Sequence, residues 1–450
     1  MDTGGSAITG YLVTAATMPS IFVPAPATST VLTGLPAVLT VIAVEAVNAA
    51  GAGPATAIEI RAEPGGTFHS LSPSRILDTR DGTGGVPSRP IGPGGTLSVQ
   101  VAGRGGVPAT AVSAVVLNVT VTDTTAASFL TVYPTGVARP LVSNLNWAPG
   151  QTVPNLVTVA LGQGGQLDIF NLAGSTDVIF DVAGWVGDST NSTGPEGMFN
   201  SLTPARLFDS RSGFGPIFAG GSIDLQVTGR GSVPATGVSA VVLNVTVTNP
   251  TAPSFLTVWP TGTSRPLVSN LNFTAGQTVP NRVIVKVGAG GQVSIFNLAG
   301  STDVVVDVNG WFTDATNTGG GSGLAAAVPA RVFDSRTNGS GPVQGGSSVV
   351  VSAFSGANPP TAVIVNVTAT DATQASFLTV WPDDGTPQPP TSDLNFVAGQ
   401  TVPNATVVRS YVFRVFNAAG SVDVVVDLDA FFGAVVQPLT AAKSAADRSR

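Results

Sequence analysis

The chain has 450 residues; 43% of them are hydrophobic, only 10% are charged, and the formal net charge at pH 7 is −7. This acidic balance argues against a nucleic-acid partner, because phosphate binding requires a basic surface. The absence of cysteine excludes disulfides, thiol nucleophiles and cysteine zinc sites, and the single histidine excludes histidine-pair metal sites. No apolar stretch is long enough to span a membrane, and we expect neither a metal nor a cofactor.

The first 63 residues contain three β-rich segments, GGSAITGYLVTAA (4–16), TSTVLTGL (28–35) and VIAVEAVNAAGAGPAT (41–56). These segments resemble strands C to G of a fibronectin type III domain, which is a β-sandwich. The strands A and B of that family are missing, so we expect a half-sandwich with an open edge and an uncovered apolar face. The expectation that follows is that Met1 lies inside a longer protein, or that another chain supplies the missing strands.

After residue 66 the chain repeats itself three times. The equivalent segments are SRILDTR (74–80), ARLFDSR (205–211) and ARVFDSR (330–336); SFLTVYP (128–134), SFLTVWP (254–260) and SFLTVWP (376–382); GQTVPN at 150, 276 and 399; and the AGSTDV-type closing segments that begin at 171, 297 and 417. A period near 125 residues is too long for a solenoid unit and is large enough for each copy to bury its own core. This predicts independent domains joined by the Gly/Ser/Thr/Asn-rich stretches 187–194 and 313–323.

Within the first copy, short β-rich runs alternate with Gly, Pro and Asn. Eight or nine such strands with regular turn signals predict a β-sandwich of jelly-roll type. The predicted fold is therefore all-β, with three tandem β-sandwiches after an incomplete fibronectin type III-like β-sandwich. The predicted boundaries are 1–63 for the partial domain, 67–187, 198–313 and 324–433 for the three repeats, and 434–450 for a flexible tail.

Across residues 66–433 the chain resembles a tandem module of secreted actinobacterial proteins, on the strength of the SRILDTR, SFLTVYP, GQTVPN and NLAGSTDVIFDVAGW segments. Such modules often lie beside fibronectin type III domains and are attached to extracellular hydrolases. The resemblance implies an extracellular or cell-surface location and a type of neighbour, but it implies no activity.

Each copy carries two arginines and two aspartates at equivalent positions. They are Arg75, Asp78, Arg80 and Asp181; Arg206, Asp209, Arg211 and Asp307; and Arg331, Asp334, Arg336 and Asp427. One interpretation is a site for an anionic ligand or a sugar. The favoured one is a structural network that ties the first strand of each copy to the last, because bidentate Arg–carboxylate pairing is the ordinary use of these residues. Strand alternation places Asp78 and Arg80 on one face and Arg75 on the other.

The carboxylates also raise the question of catalysis. Asp78 and Asp181 form the one recurrent pair that could hydrolyse a glycosidic bond, if they lay ~5 to 9 Å apart. Neighbouring arginines lower the pKa of a carboxyl group and spoil a general acid. We therefore predict that the chain is not an enzyme.

The recurrent aromatic residues suggest a binding surface. Tyr133, Trp259 and Trp381 occupy one position, before a proline at a strand end, and the nearby polar residues are Asn144 and Asn146, Asn270 and Asn272, and Asp393 and Asn395. A flat aromatic ring beside planar amides suits a sugar, which has an apolar face and polar edges. The alternative, which we favour, is a rim aromatic that covers the core.

Together these observations predict a non-catalytic extracellular or cell-surface protein that acts as a structural spacer or adhesin. Its sharper version is weak, multivalent binding to a glycan or the cell wall, since three linked sites gain avidity. One alternative is the accessory region of a secreted hydrolase, a glycosidase or peptidase, whose catalytic domain lies upstream of Met1. Another is a subunit of an extracellular stalk or filament, because few charges oppose self-association.

Overall fold

The structure is a computed structural model that describes residues 6–15, 18–26, 40–188, 190, 194–317, 319–354 and 359–438. The chain divides into two compact units. The first unit comprises 1–65, 354–360 and 433–450, and the second comprises 66–353 and 361–432. No described helix is long and apolar enough to cross a membrane. The prediction of an all-β fold is confirmed.

The first unit begins with five strands. They are β1 (Ile8–Ala15), β2 (Met18–Pro24), β3 (Thr40–Asn48), β4 (Gly51–Ala52) and β5 (Thr56–Pro64). The predicted strand at 28–35 lies outside the described residues, and the resemblance to fibronectin type III stays a prediction.

The first repeat contributes eight strands to the second unit. They are β6 (Phe68–Asp78), β7 (Thr96–Gln100), β8 (Val112–Thr122), β9 (Ser128–Pro134), β10 (Leu145–Trp147), β11 (Val153–Ala160), β12 (Gln166–Asn171) and β13 (Asp177–Gly187). They form two antiparallel sheets in the orders β11-β8-β13-β6 and β10-β9-β12-β7. Numbered within the repeat, the sheets run 1-8-3-6 and 2-7-4-5, which is the strand order of a jelly roll.

The second and third repeats have the same two sheets, and each adds one two-residue strand. The second repeat contains β14 (Phe199–Asp209), β15 (Ile217–Phe218), β16 (Ser222–Gln226), β17 (Val238–Thr248), β18 (Ser254–Pro260), β19 (Leu271–Phe273), β20 (Val279–Lys286), β21 (Gln292–Asn297) and β22 (Ser301–Thr313). The third contains β23 (Leu324–Asp334), β24 (Val343–Gln344), β25 (Ser347–Ser352), β26 (Ala362–Thr370), β27 (Ser376–Pro382), β28 (Leu394–Phe396), β29 (Val402–Val408), β30 (Val412–Asn417) and β31 (Ser421–Phe432). Single 3-10 turns occur at Gln163–Gly165 and Ala289–Gly291.

The last strand, β32 (Ala434–Pro438), belongs to the first unit, where the sheet order is β2-β1-β3-β5-β32. It pairs antiparallel with β5, from Ala434 opposite Pro64 to Pro438 opposite Ile60. The expectation that 434–450 is a flexible tail is therefore wrong for residues 434–438. This β-rich AVVQP segment pairs with the free edge of β5. Residues 439–450 lie outside the described part of the chain.

Both faces of the third strand of each repeat are buried, and this explains its sequence. In β8, Val115, Leu117 and Val119 point into the interior of the jelly roll. Val116, between them, belongs to a different apolar cluster that draws residues from all three repeats. Since successive side chains alternate between faces, one strand serves two cores.

The shared cluster, which we call the axial core, contradicts the expectation of independent domains on flexible linkers. Its members come from equivalent strands of the three repeats, and four phenylalanines lie among them: Phe68, Phe199, Phe312 and Phe432. The rings of Phe199 and Phe432 stack with centroids 3.8 Å apart. The chain between repeats is also fixed where it is described, since Phe199 and Ser322 exchange backbone hydrogen bonds of 2.8 and 2.9 Å. Each repeat has an apolar outer face, so the three faces bury one another.

Candidate functional site

The Arg and Asp residues of each repeat lie in one network. In the first repeat the Arg75 guanidinium donates from Nε to Asp181 Oδ1 (2.9 Å), from Nη2 to Asp181 Oδ2 (3.2 Å) and from Nη1 to Asp78 Oδ2 (3.2 Å). Arg80 donates to both oxygens of Asp78, at 2.9 and 2.7 Å. The same bonds recur in the other two repeats. The network joins the first strand of each repeat to its last strand.

The expectation that Arg75 and Asp78 face opposite sides of their strand is wrong. The pairing of β6 with β13 slips by one residue, so that Leu77 lies opposite Phe180 but Arg75 lies opposite Asp181. An extra residue on one strand is a β-bulge, which changes the side to which neighbouring side chains point. The bulge brings Arg75 onto the same side as both carboxylates.

The carboxylates of the network differ in their environments. Asp181 is only 2% exposed, and burial raises its pKa above the ordinary value although Arg75 acts in the opposite direction. Burial also disfavours ionisation of Asp78, but the hydrogen bonds from Arg80 outweigh it and lower the pKa. In the second repeat, the hydrogen bond from Arg211 is the main cause of a lowered pKa at Asp209. Each described carboxylate of these networks is thus held by arginine.

The recurrent aromatics at the strand ends do not form the exposed surface of the less favoured interpretation. The side chains of Tyr133, Trp259 and Trp381 are only 6, 7 and 6% exposed. The Trp259 indole donates from Nε1 to the backbone oxygen of Thr263 (3.1 Å). These residues are buried at the rim of the core, which is the arrangement of the favoured interpretation.

The polar residues paired with those aromatics fall into two groups. The first group is buried and structural: Asn144 Oδ1, Asn270 Oδ1 and Asp393 Oδ2 each accept a backbone N–H from the neighbouring strand at 2.7–2.8 Å. The second group, Asn146, Asn272 and Asn395, is half-buried and lines a cavity shared by the three repeats. The structure therefore separates the predicted site into an internal part and an accessible part.

A closed ring of asparagines joins the repeats. Asn155 Nδ2 of the first repeat donates to Asn366 Oδ1 of the third (2.9 Å). Asn281 of the second donates in the same way to Asn118 of the first (2.8 Å), and Asn404 of the third to Asn244 of the second (3.1 Å). These three contacts connect the first repeat to the third, the third repeat to the second, and the second repeat to the first. Equivalent head-to-tail interfaces that close on themselves form a ring, here with pseudo-threefold symmetry.

One interface of the ring carries a buried charge pair. Arg282, on β20, is 0% exposed and donates from Nη2 to Asp393 Oδ1 (2.7 Å) of the third repeat and from Nε to the backbone oxygen of Ala405 (3.1 Å). It also donates to Asn309 Oδ1 of its own repeat. The other repeats have leucine and alanine in place of Arg282, and asparagine in place of Asp393. The charge pair therefore distinguishes the interface between repeats two and three.

The accessible site lies on the pseudo-threefold axis, and we call it the axial cavity. It has a volume of about 410 Å³ and is lined by corresponding residues of all three repeats. The sets are Asn146, Asn272 and Asn395; Gln151, Gln277 and Gln400; Thr152, Thr278 and Thr401; Val153, Val279 and Val402; and Pro154, Pro280 and Pro403. None of the described residues that line it is charged.

The recurrent GQTVPN segment builds this cavity. Gly150 has φ +75° in a tight turn in which Gln151 N donates to Ala148 O (3.2 Å), a conformation that favours glycine. The Gln151 side chain closes the turn, because its Oε1 accepts the Ala148 N–H (2.8 Å). Thr, Val and Pro then line the cavity, and the final Asn enters the ring described above. Gln151, Gln277 and Gln400 were not among the predicted site residues; the signal that could have found them was their identity in all three copies.

Comparisons with known proteins do not identify a family for this chain. No protein-family model matches the chain, and no curated protein matches it. Among solved structures 21 chains match. One is from "The Triple Jelly Roll Fold and Turret Assembly in an Archaeal Virus", with 12% identity, a TM-score of 0.17, and coverage of 83% of this chain and 91% of the other. Another is from "Life in the extremes: atomic structure of Sulfolobus Turreted Icosahedral Virus", with 10% identity, a TM-score of 0.15, and coverage of 88% and 90%. The jelly-roll assignment rests on the strand order above.

Proposed function

We propose that the chain is a non-catalytic extracellular or cell-surface protein, adhesin-like or structural, in which the three repeats act as one rigid head. The observation that carries this proposal is the ring of buried asparagine contacts, which closes through all three repeats. Buried polar groups that satisfy one another fix a unique arrangement and resist local opening. A head of this kind suits a protein that bears or transmits contact at a surface.

The recurrent carboxylates support a non-catalytic role. Both oxygens of Asp181 accept from Arg75, and the equivalent Asp307 and Asp427 are 2 and 1% exposed. A groove of about 310 Å³ between the first two repeats is lined by Arg75 and Arg80, whereas neither Asp78 nor Asp181 belongs to its lining. A general acid has to reach the leaving group of its substrate, and these carboxyl groups are turned away from solvent.

The test is sedimentation of the full chain with insoluble material, using isolated bacterial cell walls, chitin and cellulose, followed by analysis of the supernatant. We expect retention on at least one of these materials and no release of reducing sugar or peptide. Release of soluble products would show an enzyme and overturn the proposal. The alternative of an accessory region in a secreted hydrolase is tested separately, by the intact mass and first residue of the native polypeptide.

A filament or stalk subunit is the second candidate, and exposed apolar residues favour it. Phe214 and Phe218 of the second repeat are 61 and 68% exposed, and Leu141 and Leu267 are 85 and 87% exposed. Burial of such side chains between molecules is favourable at about 25 cal/mol per Å². Light scattering at micromolar concentration tests this function: growth of ordered assemblies that Phe218→Ser abolishes would support it, whereas a monodisperse chain excludes it.

A further inference from the structure

The axial cavity has the properties of a binding site, and Asn146, Asn272 and Asn395 are the predicted site residues that line it. It lies where the GQTVPN turns of the three repeats meet, and its volume of about 410 Å³ falls within the usual range for small-molecule sites. Its walls alternate between amide or hydroxyl groups and the rings and methyl groups of proline and valine. A ligand inside it meets the same surface three times.

Three glutamines that line the cavity use their side-chain oxygens within their own turns. The Oε1 atoms of Gln151, Gln277 and Gln400 accept the backbone N–H groups of their own turns, at 2.8, 2.8 and 3.1 Å. A backbone N–H can only donate, so each glutamine must keep its oxygen on the turn and direct its NH₂ group away from it. Within the described part of the chain, these three Nε2 atoms have no hydrogen-bond partner.

The asparagines add three further amides. The Oδ1 atoms of Asn146, Asn272 and Asn395 accept from serine hydroxyls at 3.0, 3.1 and 3.2 Å. Their Nδ2 atoms have no partner among the residues that the structure describes. Six residues that line the cavity therefore carry an amide NH₂ group without a partner in the described part of the chain, and a ligand that accepts hydrogen bonds would pair with such groups.

We infer that the axial cavity binds a neutral saccharide, such as one or two sugar units of a glycan chain. Sugar hydroxyl oxygens accept hydrogen bonds from amide NH₂ groups, and the C–H faces of a sugar ring pack on proline, valine and Phe273, which also lines the cavity. The described residues that line the cavity include no arginine or lysine to bind an acidic sugar or a phosphate with charge, and the chain carries a net charge of −7. This inference deepens the adhesin-like function proposed above and rests on it.

Isothermal titration calorimetry of the full chain with maltose, cellobiose and diacetylchitobiose tests the inference. We expect at least one of them to bind with a Kd of about 1 mM, a value typical of a few hydrogen bonds in an open site. The cavity variant Q151E/Q277E/Q400E keeps the oxygen that accepts each turn N–H but removes three donors. We expect it to weaken saccharide binding at least about tenfold. The control Q163E/Q344E/Q374E makes the same charge change at three exposed glutamines outside the cavity lining and is expected to bind as the parent does.

The three new carboxylates lie near one another, so urea unfolding must show that the cavity variant is folded. Where it is not, the single variants Gln277→Glu and Gln277→Met replace it, and each is expected to weaken binding. Absence of binding by all three sugars, equal binding by parent and folded cavity variant, or binding of inorganic sulfate or phosphate alone would each overturn the inference.

The two proposals fail in different ways. Retention of both parent and cavity variant on cell walls, without saccharide binding, would leave the surface function standing and remove the cavity as its site. Saccharide binding that depends on Gln277, without retention on any wall or polysaccharide, would support the cavity and contradict the surface function.

Discussion

Two kinds of buried region in this protein differ in how similar their residues are from one repeat to the next. The three jelly-roll interiors are built from nearly the same residues each time; Leu117, Leu243 and Val365, for example, are all fully buried. The axis where the repeats meet is not uniform, since Leu156, Arg282 and Ala405 occupy one equivalent position.

Residues that the three repeats share and residues that differ between them have different roles. The shared residues specify the fold of one repeat, together with the Asn contacts that any two repeats could make. The residues that differ between repeats make each of the three interfaces chemically distinct. We infer that they fix which repeat lies next to which, since a ring of identical interfaces has no such preference.

The largest effect is expected from breaking the charge pair that marks one interface. Asp393→Asn leaves the Arg282 guanidinium with its charge unpaired at a position that is 0% exposed. Removing one partner of a buried pair costs about 3–5 kcal/mol, because the remaining charge stays desolvated. Urea unfolding of the parent and variant measures the loss of stability.

The first repeat provides the matched control. Its residues at the two positions are Leu156 and Asn144, so the double variant Arg282→Leu with Asp393→Asn makes this interface resemble the others. Replacing both partners of a buried pair is often close to neutral. We therefore expect the double variant to recover most of the lost stability. A double variant as unstable as the single one would show that the pair is not the cause.

A smaller loss is expected at the asparagine ring, which all interfaces share. Asn155 donates to Asn366 Oδ1 and Asn144 O, and its own Oδ1 accepts the Ala405 N–H at 3.0 Å. Asn155→Ala leaves these buried groups unpaired and should lower the free energy of unfolding by about 2 kcal/mol.

Hydrogen exchange locates the effect of that variant, because loss of a ring contact should increase exchange at β11 and β29 more than inside the jelly rolls. Asn338→Ala is the control, since Asn338 is exposed and the hydrogen bonds of its side chain to described residues lie within its own turn. An equal loss from both variants would mean that the ring contributes nothing particular.

These contacts show how far the sequence alone predicts this structure. The interior was predictable, because turn signals and alternating apolar residues such as those of 112–122 identify jelly-roll strands. The meeting of the repeats was not, because Val116 and Val115 are equally apolar, and alternation does not say which face covers a neighbouring repeat. A period of about 125 residues is equally compatible with separate domains and with a ring.

The candidate site shows the same limit. Asn146, Asn272 and Asn395 were identified from the sequence, but only as partners of an exposed aromatic ring, whereas the favoured interpretation placed the aromatics beside them over the core. The glutamines that complete the axial cavity come from turns far apart along the chain. Only the closure of the ring brings them together, and no single repeat contains that information. A polar asparagine recurs inside an otherwise apolar strand of the three copies, as Asn118, Asn244 and Asn366. It was the one sign in the sequence of a buried polar contact.

The smallest effect on the free energy of unfolding, at least at acidic pH, is expected at another position where the repeats differ. Asp429 occupies the position of Ala183 and Asn309, is 1% exposed, and neither of its carboxylate oxygens has a partner within the described residues. Burial, with a smaller contribution from the charge of Asp427, raises its pKa well above the ordinary value. The carboxyl group is therefore held neutral in the folded chain over a pH range in which it ionises once the chain unfolds.

The sign of the pH dependence follows from this difference. Well below the ordinary aspartate pKa of about 3.9 the group is protonated in both states, so it does not shift the balance between them. As the pH rises, the unfolded chain releases the proton first, and the stability of the parent falls until the folded group also ionises. Asp429→Asn removes this loss, and we expect it to be more stable than the parent by a margin that widens with pH. Urea midpoints of both chains from about pH 4 to about pH 8 measure the margin. Asp429→Ala, which places the residue of the first repeat at this position, should show the same trend. A margin independent of pH would contradict the prediction, because it would mean that the Asp429 carboxyl group is hydrated or paired with a cation.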